Sequence, residues 1–160
     1  MTRWYFGFAL ALVLVGWLAP ARELASQGIT FDKVQVTLVT ETGRHDFTLD
    51  VADNASRAEL GLRYRHSVDP DGGLLVLQSA RAPVPMQVST DGLSLRIDVL
   101  FVASDGTVKE VYPWVPADSA TPIVSAGPVA AAVELAGGTI TRFGILPGDH
   151  LLGGGLGPSG

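Results

Sequence analysis

A chain of 160 residues has the length of one domain with extensions. It carries 16 acidic against 11 basic residues, and this excess of acidic residues disfavours nucleic acids and anionic membrane surfaces as partners. It contains no cysteine, which excludes disulfides, thiolate metal sites and thiol catalysis.

The N-terminal segment has the pattern of a secretory signal peptide. Arg3 precedes an apolar run from Trp4 to Ala19, and an A-P-A exit follows at 19–21. We therefore predict a signal peptide over 1–21, cleaved after Ala21 or, as a second choice, after Ala25. A retained anchor is the alternative, although the run is shorter than the about 18 to 20 residues that span a bilayer.

Cleavage would leave a periplasmic or secreted protein that meets the membrane only transiently, through its signal peptide. Removing 1–21 takes away one basic residue, so 10 basic and 16 acidic residues remain, with a net charge of −6. A mixed linker over 22–30 follows the signal peptide, and the main domain is predicted over 31–152.

The first half of this domain reads as a hairpin, a helix and a buried strand. Alternating apolar residues predict strands over 31–40 and 44–52. Ser56 and Glu59 have the spacing of a capping box, which predicts a helix from about Arg57 to Tyr64 with Gly61 inside it. A turn at 69–73 and a strand over 74–78 come next.

The second half is predicted to contain further strands and one more helix. Strands are predicted over 86–89, 93–103 and 107–114, with 93–103 the longest, and the stretches 139–145 and 148–152 are predicted to add one or two more. Pro128 and the glycines at 137–138 bracket a predicted second helix over 128–135, and 153–160 reads as a flexible tail. The predicted fold is mostly β (α+β), an antiparallel sheet curled into a barrel or sandwich with two short helices.

One carboxylate, Asp98, falls inside the apolar segment L-R-I-D-V-L-F. Strand alternation places it on one face with Leu100 and Val102, so we expect it to be buried. A buried carboxylate needs a cation or several hydrogen-bond donors. Arg96, on the same face, and Arg65 are the candidate partners. Two interpretations of Asp98 follow: it forms a structural ion pair with one of these arginines, or it is a carboxylate of a functional site.

Glu134 raises the same question, because it lies in the last turn of the predicted second helix, where the helix dipole disfavours an anion. A partner such as Arg142 or Arg65 would compensate it, and the alternative is a solvated surface residue. The histidines have no metal-ligand spacing, so no metal and no cofactor are predicted. Met86 and Trp114 are interpreted mainly as packing residues.

The order of several stretches resembles the domain of unknown function 192 family over roughly 31–152. The stretches are E-L-G-L-R-Y-R (59–65), G-G-L-L-V-L (72–77), P-M (85–86), L-R-I-D-V-L-F-V-A-S-D-G-T-V-K-E-V (95–111), T-P-I-V-S-A-G-P-V-A-A-A-V-E-L-A-G-G (121–138) and G-I-L-P-G-D (144–149). The resemblance implies a small, mostly β, often exported bacterial or archaeal protein without an established activity.

The same resemblance implies that Arg65, Asp98 and Glu134 share one buried polar network, to which Arg96 and Met86 are added as candidate binding residues. No catalytic residue is assigned. The stretch 85–89 departs from the family pattern at Pro85, Val88 and Ser89, which argues mildly against an enzyme.

The sequence therefore favours a protein that binds a small polar molecule, an envelope glycan or another envelope protein. One alternative is an envelope hydrolase that uses Asp98 or Glu134 as a general acid/base. The other is a structural accessory. An enzyme requires both carboxylates in an open cleft, a binding module requires a pocket with few polar groups, and an accessory requires Asp98 sealed and fully paired.

Overall fold

The computed structural model describes residues 30–78 and 83–157. The predicted signal peptide over 1–21 and almost all of the predicted linker lie outside the described residues. Within the described ranges, none of the helices has the length and hydropathy needed to cross a membrane.

The described chain forms nine strands and two short helices. In chain order they are β1 (Asp32–Thr40), β2 (Gly43–Ala52), α1 (Ala55–Leu60), β3 (Gly72–Leu77), β4 (Gln87–Val88), β5 (Ile97–Val102), β6 (Val108–Val115), β7 (Ile123–Val124), β8 (Ala131–Ala136), α2 (Thr139–Phe143) and β9 (His150–Gly153).

Seven of the strands form one sheet in the order β6-β5-β8-β3-β2-β1-β9, and β4 pairs with β7 in a separate two-stranded ribbon. The large sheet is curled into a half-barrel. β2 and β3 run parallel, because α1 lies in the connection between them, and the other neighbours are antiparallel. The prediction of a mostly β fold with two short helices is confirmed, with a mixed sheet.

The sheet buries apolar side chains on both faces. The core on the side of α2 contains Leu100, Val102 and Ile140, and we call it the α2-side core. The core on the side of α1 contains Val99 and Leu62, and we call it the α1-side core. The alternation predicted for β5 is therefore confirmed, since successive residues of this strand enter opposite cores.

The helix predicted over 128–135 is wrong, since this segment forms the central strand β8. Its alanines, glutamate and leucine favour a helix by intrinsic propensity. In the sheet, however, Val133 enters the α2-side core and Ala132 enters the α1-side core, so both faces are buried. A strand buried on both faces has no polar alternation to reveal it.

Of the two stretches predicted to close the domain with one or two strands, 148–152 forms β9. The stretch 139–145 does not form a strand, because Thr139–Phe143 forms α2 between Gly138 and Gly144, both in the left-handed region. The first helix begins earlier and ends sooner than predicted. Asn54, rather than Ser56, caps it by accepting a hydrogen bond from the Arg57 N–H, and Gly61 ends it at φ 42°.

The remaining predicted strands are close to the observed ones. The hairpin of β1 and β2, the buried strand β3 and the pairing of β5 with β6 are confirmed. The expectation that 93–103 holds the longest strand is wrong, since β5 has six residues and β2 has ten. Of the predicted tail, Gly153 ends β9 and Leu156 is buried in the α2-side core.

Gly73 in β3 offers a test of this packing, because a Cβ atom there would lie 2.3 Å from the Glu134 carbonyl oxygen and 3.0 Å from a Leu135 methyl group. We expect Gly73→Ala to lower the free energy of unfolding by about 1–3 kcal/mol, the usual cost of overpacking. Chemical denaturation measures the change. Gly127→Ala is the control, since a Cβ there meets nothing within 4 Å. Equal stability of the two variants would contradict the register of β3 and β8.

Candidate functional site

The Asp98 side chain is fully buried and is held by three backbone N–H groups. Its Oδ1 accepts hydrogen bonds from Trp114 N at 2.8 Å and Gly138 N at 3.1 Å, and its Oδ2 accepts one from Ile140 N at 2.7 Å. The donors belong to β6, to the turn after β8 and to the first turn of α2. One carboxylate therefore ties three elements together at one end of the sheet.

Asp98 lies opposite a β-bulge in β6. Ile97 pairs with Val115 and Val99 pairs with Tyr112, so Asp98 alone faces the two residues between them, Pro113 and Trp114. Trp114 has φ 54°, an uncommon conformation for a bulky residue. The hydrogen bond from Trp114 N to Asp98 supports the bulge in this conformation.

The prediction that an arginine guanidinium group neutralises Asp98 is wrong. Arg96 is exposed, and its carbonyl oxygen accepts a hydrogen bond from Gly137 N. Arg65 bonds to Asp50, whose alternation along β2 places it on the α1 side of the sheet. Three backbone donors satisfy the buried carboxylate instead, which is the second solution open to such a group.

Arg65 forms an ion pair with Asp50 at the edge of the α1-side core. Two turns after α1, in which Arg63 N bonds to the Leu60 carbonyl and Arg65 N to the Leu62 carbonyl, carry the chain to this point. Arg65 Nη2 lies 2.6 Å from Asp50 Oδ2, and Lys33 Nζ lies 2.9 Å from Asp50 Oδ1. Burial opposes ionisation of Asp50, but the bonds from these two cations outweigh it and hold its pKa below the ordinary value.

Glu134 lies on the same face of the sheet as Asp50, with Leu74 between them. Leu74 pairs with Asp50 on one side and with Glu134 on the other. Burial raises the pKa of Glu134 to about 7, and the nearby Arg65 charge opposes this rise. Among the described residues, no group donates a hydrogen bond to the Glu134 carboxyl. The residue is 7% exposed, and no buried side-chain oxygen of the described chain is left unpaired, so the Glu134 oxygens are reached by solvent.

The Glu134 side chain reaches a cleft of about 260 Å³ that we call the Glu134 cleft. Its walls come from α1 and the turn after it, from β3 and from β4 with the residue that follows. The lining residues are Ala58, Glu59, Arg63, Val76, Gln87, Val88, Ser89 and Glu134. The stretch that departs from the expected family pattern, 85–89, thus supplies part of this wall. The cleft combines apolar walls with both acidic and basic side chains.

The structure brings together only part of the predicted network. Arg65 and Glu134 lie close enough for their charges to interact, whereas Asp98 is held at a different place by backbone donors. Met86 is buried in the α1-side core, as a packing residue, and its backbone bonds to Ser125.

Three residues that line or support clefts were not selected as site residues from the sequence. Asp50 reads as one polar residue in an alternating strand, and Arg63 as one of several arginines after a helix. Trp114 was interpreted as a packing residue, but its side chain is 52% exposed. The available signal was the position of Asp50 between Leu49 and Val51, near the apolar end of this strand. Within 30–78 and 83–157, no cluster of three His, Asp or Glu side chains suitable for a metal ion occurs.

Comparison with protein-family models matches residues 37–153 to DUF192, whose description reads "Uncharacterized ACR". The chain belongs to the DUF192 family. The resemblance inferred from the order of the sequence stretches is confirmed by this match. None of the curated proteins compared with the chain matches it significantly.

Two crystal structures share the fold. One is described as a candidate transcription regulator from Sinorhizobium meliloti 1021, with 37% identity and a TM-score of 0.76, covering 81% of this chain and 99% of its own. The other is a protein of unknown function from Novosphingobium aromaticivorans DSM 12444, with 28% identity and a TM-score of 0.71, covering 75% of this chain and 84% of its own. The family match and the two crystal structures therefore show the fold of this chain, but they do not give it an activity.

The three bonds to Asp98 predict that Asp98→Asn is strongly destabilising. The asparagine side chain accepts hydrogen bonds through one oxygen only, and its NH2 group would face a buried backbone N–H. We therefore expect the free energy of unfolding to fall by about 3 kcal/mol. The measurement is the free energy of unfolding in urea. Asp105→Asn is the control, because Asp105 also accepts a backbone bond, from Thr107 N, but in an exposed turn. A loss for Asp98→Asn no larger than the control's would contradict the role given to Asp98.

Glu134 predicts a pH dependence of stability. Its pKa rises from 4.5 to about 7 on folding, so the folded protein retains a proton that the unfolded chain releases between these values. This contribution to stability is complete below pH 4.5 and is lost as the pH rises through 7. We expect Glu134→Gln to gain stability relative to the parent protein over this window, by up to about 3 kcal/mol.

Melting temperatures of the parent protein and Glu134→Gln between pH 4 and 8 measure the effect. The difference between the two should grow with pH and level off above about pH 7. A difference that stays constant across this range would show that Glu134 titrates normally.

Proposed function

We propose that this DUF192 protein is an exported binding protein whose Glu134 cleft takes a small polar ligand carrying an amine. The observation that supports this most strongly is the Glu134 carboxyl group, which belongs to a residue only 7% exposed, opens on a cleft and makes no hydrogen bond among the described residues. No buried side-chain oxygen of the described residues is left unpaired, so the unbonded Glu134 oxygens are reached from the cleft. A ligand donor would supply the partner that these residues do not.

The chemistry of the cleft favours a cationic ligand. Glu134 and Glu59 line the cleft, and an amine placed at the Glu134 carboxyl group would pair with it directly. An amine beside Glu134 would also favour its ionised form and lower its pKa toward the ordinary range. Arg63 and the polar side chains of Gln87 and Ser89 remain available for hydroxyl or carboxylate groups of the same ligand.

A hydrolase remains the second candidate function, supported by one observation. A carboxyl group with a pKa of about 7 in a cleft is suited to proton transfer at neutral pH. Asp98 is not available as its partner, because its two oxygens are occupied by three backbone donors. The enzyme hypothesis therefore rests on Glu134 without the paired carboxylate, and binding is the better-supported function.

Export to the periplasm or beyond is part of this proposal and rests on the N-terminal sequence alone. Arg3, the apolar run from Trp4 to Ala19 and the A-P-A exit support it. The description of the Sinorhizobium structure as a regulator of transcription is not extended to this chain, because its net charge of −5 disfavours DNA.

Titration calorimetry with two matched small molecules tests the binding proposal. Ethanolamine carries an amine and a hydroxyl group, and ethylene glycol replaces the amine by a second hydroxyl. We expect ethanolamine to bind at least 10-fold more tightly than ethylene glycol, and more tightly at pH 8 than at pH 6, because Glu134 ionises over this range.

Glu134→Gln should abolish the preference for the amine, while Glu41→Gln, in the exposed turn between β1 and β2, should preserve it. Equal affinity for the two molecules, or an amine preference that survives Glu134→Gln, would refute the proposal.

A further inference from the structure

A second cleft, at the end of the sheet that Asp98 organises, has features of a ligand site that the proposed function does not use. Its volume is about 320 Å³, near the lower limit of about 300–1,000 Å³ for small-molecule pockets. The lining residues are Pro70, Trp114, Ala136, Gly137, Gly138, Thr139 and Arg142. We call it the Trp114 cleft.

The indole of Trp114 lines this cleft. The six-membered ring of its indole lies against the turn at 137–138, where a Cβ atom on Gly138 would come within 2.8 Å of the ring. The side chain is nevertheless 52% exposed, so the rest of the indole faces solvent. Glycine at 138 therefore leaves the space that the ring occupies beside the turn.

The protein maintains this exposed ring at a structural cost. Trp114 adopts φ 54°, which a bulky side chain rarely does, and the buried Asp98 fixes its backbone N–H. An indole needed only to fill space would be buried, and a glycine would adopt this backbone conformation without strain. A strained and exposed aromatic residue beside a cleft is the arrangement expected of a binding platform.

Arg142 supplies a positive charge at the same cleft. Its Nη2 donates to the Pro70 carbonyl and lies 3.4 Å from Asp71 Oδ1, and its guanidinium stacks over the Phe143 ring at 4.2 Å. Both bonds use Nη2, so among the described residues Nη1 and Nε have no acceptor. The guanidinium disfavours a cationic ligand, and beside its contact with Asp71 it retains N–H donors for an anion.

We propose that the Trp114 cleft binds one acidic sugar ring, with the apolar face of the pyranose on the indole and the sugar carboxylate on Arg142. A pyranose with equatorial hydroxyl groups has a flat face of C–H bonds and a polar rim, and tryptophan offers a matching amphipathic surface. A phosphate or another simple anion would make no use of the indole. The cleft is distinct from the Glu134 cleft and its residues are different.

Fluorescence titration tests the proposal directly. The full chain has three tryptophans, so Trp4→Phe with Trp17→Phe leaves Trp114 as the reporter. The probes are methyl β-glucuronide and methyl β-glucoside, which differ only by a carboxylate in place of a hydroxymethyl group. We expect a saturable change in emission with both probes and at least 10-fold tighter binding of the glucuronide.

Two variants separate the contributions of the two side chains, with binding followed by calorimetry. Trp114→Gly suits φ 54°, so it should fold and yet lose binding of both sugars by at least 10-fold. Arg142→Gln should bring the affinities of the two sugars together, within about a factor of two. Tyr64→Ala removes an exposed aromatic residue outside this cleft and should change neither affinity.

Three results would overturn the proposal: no saturable emission change with the glucuronide, unchanged affinity in a folded Trp114→Gly variant, or tighter binding of benzoate, a flat aromatic acid, than of the glucuronide. Glu134→Gln should leave the sugar affinities unchanged. A Glu134→Gln variant that loses amine binding and keeps sugar binding shows that the two clefts act independently. The binding proposal for each cleft can therefore fail without the other.

Discussion

The buried carboxylate of Asp98 and the backbone N–H groups around it are the interaction on which one end of the sheet depends. Three donors from β6, from the turn after β8 and from α2 converge on its two oxygens. Each would otherwise be a buried or half-buried polar group requiring a partner of its own. The carboxylate thus fixes the bulge at Trp114, the turn at 137–138 and the start of α2 relative to one another, and the Trp114 cleft is formed by these same segments.

The two faces of the sheet handle their buried carboxylates in different ways. On the α2 side, Asp98 is sealed and fully satisfied within the protein. On the α1 side, Asp50 is paired with Lys33 and Arg65, whereas the Glu134 carboxyl group reaches a cleft and keeps a pKa of about 7. A satisfied buried acid stabilises the fold, while an unsatisfied one beside a cleft is available to a ligand. This contrast is the physical reason for assigning a structural role to Asp98 and a binding role to Glu134.

Much of the sheet could be predicted from the sequence, because alternation in β1 and β2 is strong, β5 is rich in β-branched and aromatic residues, and turn residues separate these strands. The central strand β8 could not, since its Ala, Glu and Leu residues favour a helix and its burial on both faces removes the alternation. Burial of Asp98 followed from its apolar neighbours, whereas burial of Glu134 was implied by the family resemblance. Their partners did not follow from the sequence, because backbone donors for Asp98 come from residues 114, 138 and 140, and only the folded chain brings these together.

Amide hydrogen exchange at Trp114, Gly138 and Ile140 is the most direct measurement of the central claim. All three N–H groups should be strongly protected in the native protein, and all three should lose protection together in Asp98→Asn, while amides within β1 and β2 remain protected. Rapid exchange of these three amides in the native protein, or loss of protection at only one of them in the variant, would contradict the account.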